Sequence, residues 1–154
     1  MKTSIRVKCL IGFALLVLSP SAKAEDPIPL AGIRSLAILV EDLPEEASEC
    51  GIAVESLDNT ARFMIEQSTI RLVSTDVFFD AYLYVNVDVV PNCSSRVDVR
   101  VRTPVDIRNT SVTSWATIWE KGGLRTGGKP GEDTTHMLEQ ITKELVQDWN
   151  LVNK

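Results

Sequence analysis

The stretch from Asp80 to Val105, DAYLYVNVDVVPNCSSRVDVRVRTPV, alternates apolar and polar residues with period two on both sides of a short turn. Ala81, Leu83, Val85, Val87 and Val89 alternate with Tyr82, Tyr84, Asn86 and Asp88. After the PNCSS turn, Val97, Val99 and Val101 alternate with Arg96, Asp98, Arg100 and Arg102. Successive side chains of a strand point to opposite faces, so the pattern predicts an antiparallel hairpin with one apolar side. Whatever else the chain does, it must cover that side.

The flanking segments supply the cover. Ile33–Leu43 reads as a buried strand and Pro44–Gly51 as an acidic loop. From about Ser56 to Gln67, Leu57, Ala61, Met64 and Ile65 recur at helical spacing, and Ser68–Ser74 follows as a strand. Ser111–Lys121 is a further strand, with Val112, Ala116 and Ile118 expected on one face and Trp115 and Trp119 on the other. A last helix, from about Asp133 to Asn150, carries the stripe Leu138, Ile141, Leu145 and Trp149 and has an acidic first turn, which the helix dipole favours. The order β-α-β-β-β-β-α predicts an α+β fold. Two helices cover one face of a mostly antiparallel sheet of four to five strands, giving a two-layer α/β sandwich.

This order resembles small domains of bacterial envelope proteins, namely the N-terminal domain of TolB and the LpoB-like outer-membrane lipoproteins. THMLEQITKEL, from Thr135 to Leu145, is similar to the TolB segment that places a His one turn ahead of an amphipathic helix. The resemblance implies a docking or assembly role and carries over no site residue.

The N-terminus points to the same compartment. Lys2, Arg6 and Lys8 precede an apolar run from Cys9 to Leu18, and Ala22-Lys23-Ala24 supplies the small residues that a signal peptidase reads. Residues 1–24 are therefore expected to be a signal peptide cleaved after Ala24, residues 25–31 a flexible leader, and residues 32–154 a single domain. The apolar run is too short for a comfortable span, so a periplasmic or secreted protein with no transmembrane anchor is expected. Cys9 lies at the start of the run, whereas a lipobox closes such a run, so no lipid anchor is expected. The 24 residues carry four basic side chains and no acidic one, so cleavage moves the net charge from −5 to −9. That charge repels phosphate backbones and argues against nucleic-acid binding. Cys50 and Cys93 remain, and in an oxidising compartment an isolated pair predicts one disulfide. It closes a loop of about 44 residues, worth roughly 4 kcal/mol in the chain-entropy model.

Three features invite a chemical reading. Gly123, Gly128 and Lys129 match the G-x-x-x-x-G-K pattern of a phosphate loop, but Pro130 stands where the Mg²⁺-binding hydroxyl belongs, and the preceding sheet reads antiparallel. The match is taken as chance, within a flexible Gly-rich connection, and no nucleotide site or other cofactor is expected. The acidic cluster Glu41, Asp42, Glu45, Glu46 and Glu49 has Pro44 in its middle and no glycine until Gly51, so it lacks the form of a calcium loop, and no metal site is expected. His136, the single histidine, has no nucleophile turn to serve and reads as a first-turn surface residue. No catalytic residue is assigned.

The polar side of the hairpin and last strand is left. Tyr82, Tyr84, Asn86, Arg100, Arg102, Trp115 and Trp119 form a candidate binding face, because aromatic residues and Arg are enriched where proteins dock. The same residues would also stabilise an open sheet through cross-strand pairs. The sequence thus supports a non-enzymatic, exported (periplasmic) protein-binding or envelope-assembly module that uses an open sheet face or an exposed sheet edge. Its partner would be another envelope protein, and a homodimer is compatible with it. The alternative is a carrier with a small ligand between sheet and helices. A hydrolase would need a convergent nucleophile, base and oxyanion set, and none can be assembled.

Overall fold

The structure, a computed structural model, describes residues 29–153. The expected signal peptide, its cleavage point and most of the leader lie outside the described residues. The elements are β1 (Ser35–Val40), α1 (Glu45–Glu49), α2 (Val54–Glu66), β2 (Arg71–Leu72), β3 (Ala81–Val89), β4 (Ser95–Asp106), β5 (Thr113–Arg125) and α3 (Pro130–Val152). One five-stranded sheet runs β2-β1-β3-β4-β5. It is mixed: β1 pairs in parallel with both β2 and β3, while the long pairings β3–β4 and β4–β5 are antiparallel.

The alternation read from Ala81 to Arg102 is the register of the sheet. Leu83 faces Val101, Val85 faces Val99 and Val87 faces Val97, and all six are buried. Leu36 and Ile38 of β1 extend this surface, paired with Ala81 and Leu83. Against it pack Leu57, Ala61 and Ile65 of α2 and the predicted α3 stripe of Leu138, Ile141, Leu145 and Trp149. Burying one Val or Leu side chain contributes about 1.5–3 kcal/mol, so the two layers hold each other.

The acidic loop is more ordered than its composition suggests. Its centre forms α1, a single helical turn after Pro44, because Ala47 drops into the core while Glu45 and Glu46 stay outside. The Cys50 and Cys93 Cα atoms are 5.5 Å apart across a disulfide, which ties the end of α1 to the β3–β4 turn. Cys93 holds a φ of +59°, an uncommon conformation for a side-chain-bearing residue, and the bridge holds that turn against α1. Beside it, the first turn of α3 lies directly on this connection. A Cβ built on Gly131 would stand 2.2 Å from the Gly51 carbonyl oxygen, so only a glycine fits there.

Asp80 fastens the other end of the sheet. Its carboxylate accepts hydrogen bonds from the Arg34 N–H at 2.8 Å, the Ser35 N–H at 2.9 Å and the Ser35 hydroxyl at 3.1 Å. Its own carbonyl accepts from the Thr103 hydroxyl at 2.9 Å. One residue therefore links the starts of β1 and β3 to β4. Partial burial pushes the Asp80 carboxyl up, but these hydrogen bonds and the nearby Arg34 charge outweigh it and leave the pKa lowered.

Two outcomes follow. Gly131→Ala should cost about 1–3 kcal/mol in a urea titration, because the obstacle is backbone and cannot swing aside. Asp80, with its lowered folded pKa, contributes stability that is complete above its unfolded pKa of about 3.9 and lost as the pH falls through the folded value. Asp80→Asn should accordingly lower stability by about 1 kcal/mol at neutral pH. The gap to wild type should close as the pH falls below the unfolded pKa and through the lowered folded one.

Candidate binding face

Both long helices lie on the valine side, so the opposite face of the sheet has no covering layer among the described residues. Its side chains meet in cross-strand pairs: Tyr82 opposite Arg102, Tyr84 opposite Arg100, Asn86 opposite Asp98 and Asp88 opposite Arg96. Such pairs are the unit of sheet stabilisation. Their charges are unevenly satisfied. Arg96 Nε sits 2.8 Å from Asp98 Oδ2. Arg100 Nε is 3.3 Å from Glu120 Oε1, a charge contact without the alignment of a hydrogen bond. The Nε atoms of Arg100 and Arg102 are both shielded from solvent with no hydrogen-bond acceptor among the described residues. The Tyr84 hydroxyl donates to the Glu41 carboxylate, and that bond, with some desolvation, raises the phenol pKa.

At the end of the sheet where β1 and β3 begin, the aromatic residues gather. The Tyr82 and Trp115 rings meet edge to face at 4.8 Å, and Tyr82 and Tyr84 do the same at 6.4 Å. Arg102 Cζ lies 5.8 Å from the Tyr82 ring centre, within the range of a cation–π contact. Phe79, which sequence reasoning missed, stacks on Trp115 at 6.1 Å and meets Tyr82 edge on at 6.4 Å. It precedes the alternating run and so belonged to no face in the pattern. The Phe78-Phe79 doublet was the available signal. Tyr82 is enclosed by this group, while Trp115 remains 41% exposed and Phe78 87% exposed.

Trp119 does not belong to this face. In β5, Trp115 pairs with Pro104 and Thr117 with Arg102, but Trp119 pairs with Val101, so Ile118 is the extra residue of a β-bulge. One inserted residue inverts the phase of the strand. Trp119 therefore points to the helix side, 8% exposed, and its Nε1–H donates to Asp148 Oδ2 of α3 at 2.8 Å. The expectation that both tryptophans share the outer face is corrected accordingly. No Gly or Pro marks the bulge in the sequence.

The phosphate-loop match also changes its setting. Gly123 lies inside β5, opposite Val97, and a Cβ there would stand 2.6 Å from Met137 Sδ. It belongs to a packed strand and not to a flexible connection. Lys129 is the N-cap of α3. Its N–H donates to Asp133 Oδ2 at 3.0 Å, and its Nζ lies 3.0 Å from Glu132 Oε2. The helix start thus holds its own carboxylates where a phosphate would need to sit. His136 is exposed, 3.0 Å from Gln140 Nε2 and 3.5 Å from Glu139 Oε2. Among the described residues, no group of three or more His, Cys, Asp or Glu could hold a metal ion. Nor is any helix among them long and apolar enough to cross a membrane.

No family model and no curated protein matches this chain. Among solved structures, it is similar to a PelC dodecamer from Paraburkholderia phytofirmans, with a TM-score of 0.44 and 13% identity over 79% of this chain and 91% of that one. It is also similar to a minor lipoprotein from Acinetobacter baumannii, with a TM-score of 0.33 and 9% identity over 80% of this chain and 97% of that one. Likeness at this level carries no functional argument, and the resemblance to the TolB domain rests on element order.

The two tryptophans should separate in a stability measurement. Trp119→Ala empties a core position and should cost about 3–5 kcal/mol. Trp115→Ala loses mainly ring–ring contacts and should cost about 1 kcal/mol. Equal losses would mean that the bulge does not divide them.

Proposed function

We propose that this chain is an exported, non-enzymatic protein-binding or envelope-assembly module that docks through its uncovered sheet face. The observation that carries the reading is the cluster of Phe79, Tyr82, Tyr84 and Trp115 with Arg100 and Arg102 on the side that the helices leave bare, where Tyr82 is buried, Trp115 is exposed and the rest are half-buried. Interfaces concentrate their energy in a few aromatic and Arg side chains at such spots. The signal-peptide pattern and the Cys50–Cys93 disulfide support a periplasmic or secreted location, with another envelope protein as partner.

The carrier reading has less support, since it requires a cavity between the layers. The depressions described on this molecule are open to solvent. One of about 350 Å³ lies by Arg62, Glu66 and Leu72, and one of about 500 Å³ by Ile33, Trp149 and Asn153. β5, an edge strand of 13 residues, offers free backbone groups as a second docking element.

Affinity capture from an extract of the source cell's envelope, followed by mass spectrometry, tests the proposal. The oxidised chain should enrich one protein, and Trp115→Ala with Arg102→Ala should reduce its recovery about tenfold or more, the scale of a hot-spot loss. The thermal midpoint of that variant should fall by only a few degrees, the shift that a loss of about 1 kcal/mol produces, so the chain stays folded. Undiminished recovery by the folded variant would move the docking surface elsewhere. A co-purifying small molecule in place of a protein would favour the carrier.

A further inference from the structure

The sheet is incomplete at its first edge. β2 consists of Arg71 and Leu72 and pairs only with Ser35 and Leu36, while β1 runs on to Val40. The last bond on that side runs from the Val73 N–H to the Leu36 carbonyl at 3.0 Å, after which the chain turns at Thr75 and Asp76. On its other side, β1 pairs with β3 from Leu36 to Val40. The backbone groups of successive strand residues point to alternate sides within the sheet. Leu36 bonds toward β2, and the Glu41 N–H donates to Val85 of β3 at 2.9 Å. Ile38 and Val40 therefore direct their N–H and C=O groups toward the β2 side, where neither finds a hydrogen-bond partner among the described residues. Ile38 is only 5% exposed, and shielded peptide groups without partners are costly.

A cleft of about 350 Å³ opens at the same place, between β1, the end of β2 and α2, lined by Ile38, Arg62, Glu66, Leu72 and Val73. The Ile38 side chain lies on the helix side, so a residue placed opposite it in an added strand would turn its own side chain into this cleft. The Ile38, Leu72 and Val73 walls suit an aliphatic group. The following residue would lie beside Leu39, which is exposed on the outer face. Charge narrows the choice further. Arg62 is held by Asp58 of its own helix at 2.6 Å, whereas Glu66 is exposed and has no ion-pair partner among the described residues. From Ala37 to Val40 the open edge measures about 13 Å, enough for three or four residues of strand.

We propose that this slot is a strand-addition site, in which an extended segment of a partner protein lies along Ile38–Val40 and continues the line of β2. Another main chain is the group that supplies donors and acceptors at strand spacing, so the backbone sets the class of ligand. The side chains set the sequence: an aliphatic residue for the cleft, with Lys or Arg nearby for Glu66. Filling the slot would also cover an aliphatic edge that invites unspecific pairing when left open. The site contains none of Phe79, Tyr82 and Trp115, so it stands or falls separately from the aromatic face.

Amide hydrogen exchange, read from ¹H–¹⁵N spectra of the oxidised chain, tests the slot. In the free protein, the Ala37 and Leu39 N–H groups, bonded to β3, should exchange more slowly than those of Ile38 and Val40. The probe is the blocked peptide Lys-Val-Thr-Val-Thr-Lys, which at half saturation should slow exchange at Ile38 and Val40 about twofold. The same peptide N-methylated at alternate residues should have no effect, because it cannot pair as a strand. Glu66→Lys should weaken binding about threefold, and a peptide with Glu at both ends should restore it. Equal protection of all four amides in the free protein would overturn the proposal, as would a peptide that slows β5 amides instead. Protection that rises with protein concentration alone would assign the slot to a second copy and overturn the partner reading. The peptide effect should survive Trp115→Ala; its loss in that variant would place the peptide on the aromatic face and sink the slot.

Discussion

The packing of the valine side of β3 and β4 under α2 and α3 is the contact on which the rest of the molecule depends. Val85, Val87, Val97, Val99 and Val101 stand nearly free of solvent in register, and Leu57, Ile65, Leu138 and Leu145 close over them. With both helices on this side, the polar side of the same strands is left without a layer among the described residues. The open face is thus a consequence of the core. Its tyrosines and arginines lie in line because the valines between them had to.

The second constraint is the junction where α1, the β3–β4 turn and the start of α3 meet. The disulfide joins the first two, and the Gly51–Gly131 approach seats the third. A buried hydroxyl pair, Ser95 with Thr134 at 2.7 Å, extends the junction from β4 into α3. Asp80 does the corresponding work at the other end of the sheet with a single carboxylate. The aromatic cluster lies at the Asp80 end, on β3, β4 and β5, so its rings stand beside that anchor. A docking surface benefits from such an anchor, because little ordering entropy is left to lose on binding.

Trp115 and Trp119 show where sequence periodicity stops being informative. Both sit in one strand at a spacing that should place them on the same face. The Ile118 bulge separates them, sending one to the open face and the other to Asp148. The bulge turns Trp119 onto α3, a partner that the local pattern of β5 does not register. Phe79 was hidden for a related reason: it lies outside the alternating run and reaches the cluster only because the chain turns at Asp80. Tyr82, Tyr84, Arg100 and Arg102 were legible, since the uninterrupted alternation of β3 and β4 transmits local pattern directly into facing.

By itself, the sequence determined the hairpin, the two amphipathic helices, the pairing of the two cysteines and the acidic balance. All of these follow from period, composition or count, which are local or additive properties of the chain. Only the tertiary structure decided that β1 runs parallel to β3 and β2, that the acidic loop contains a helical turn, that Gly123 is a packed strand residue, and which tryptophan faces outward. Each depends on contacts between residues far apart in the chain, where a single inserted residue or a backbone approach of a few ångströms outweighs local preference.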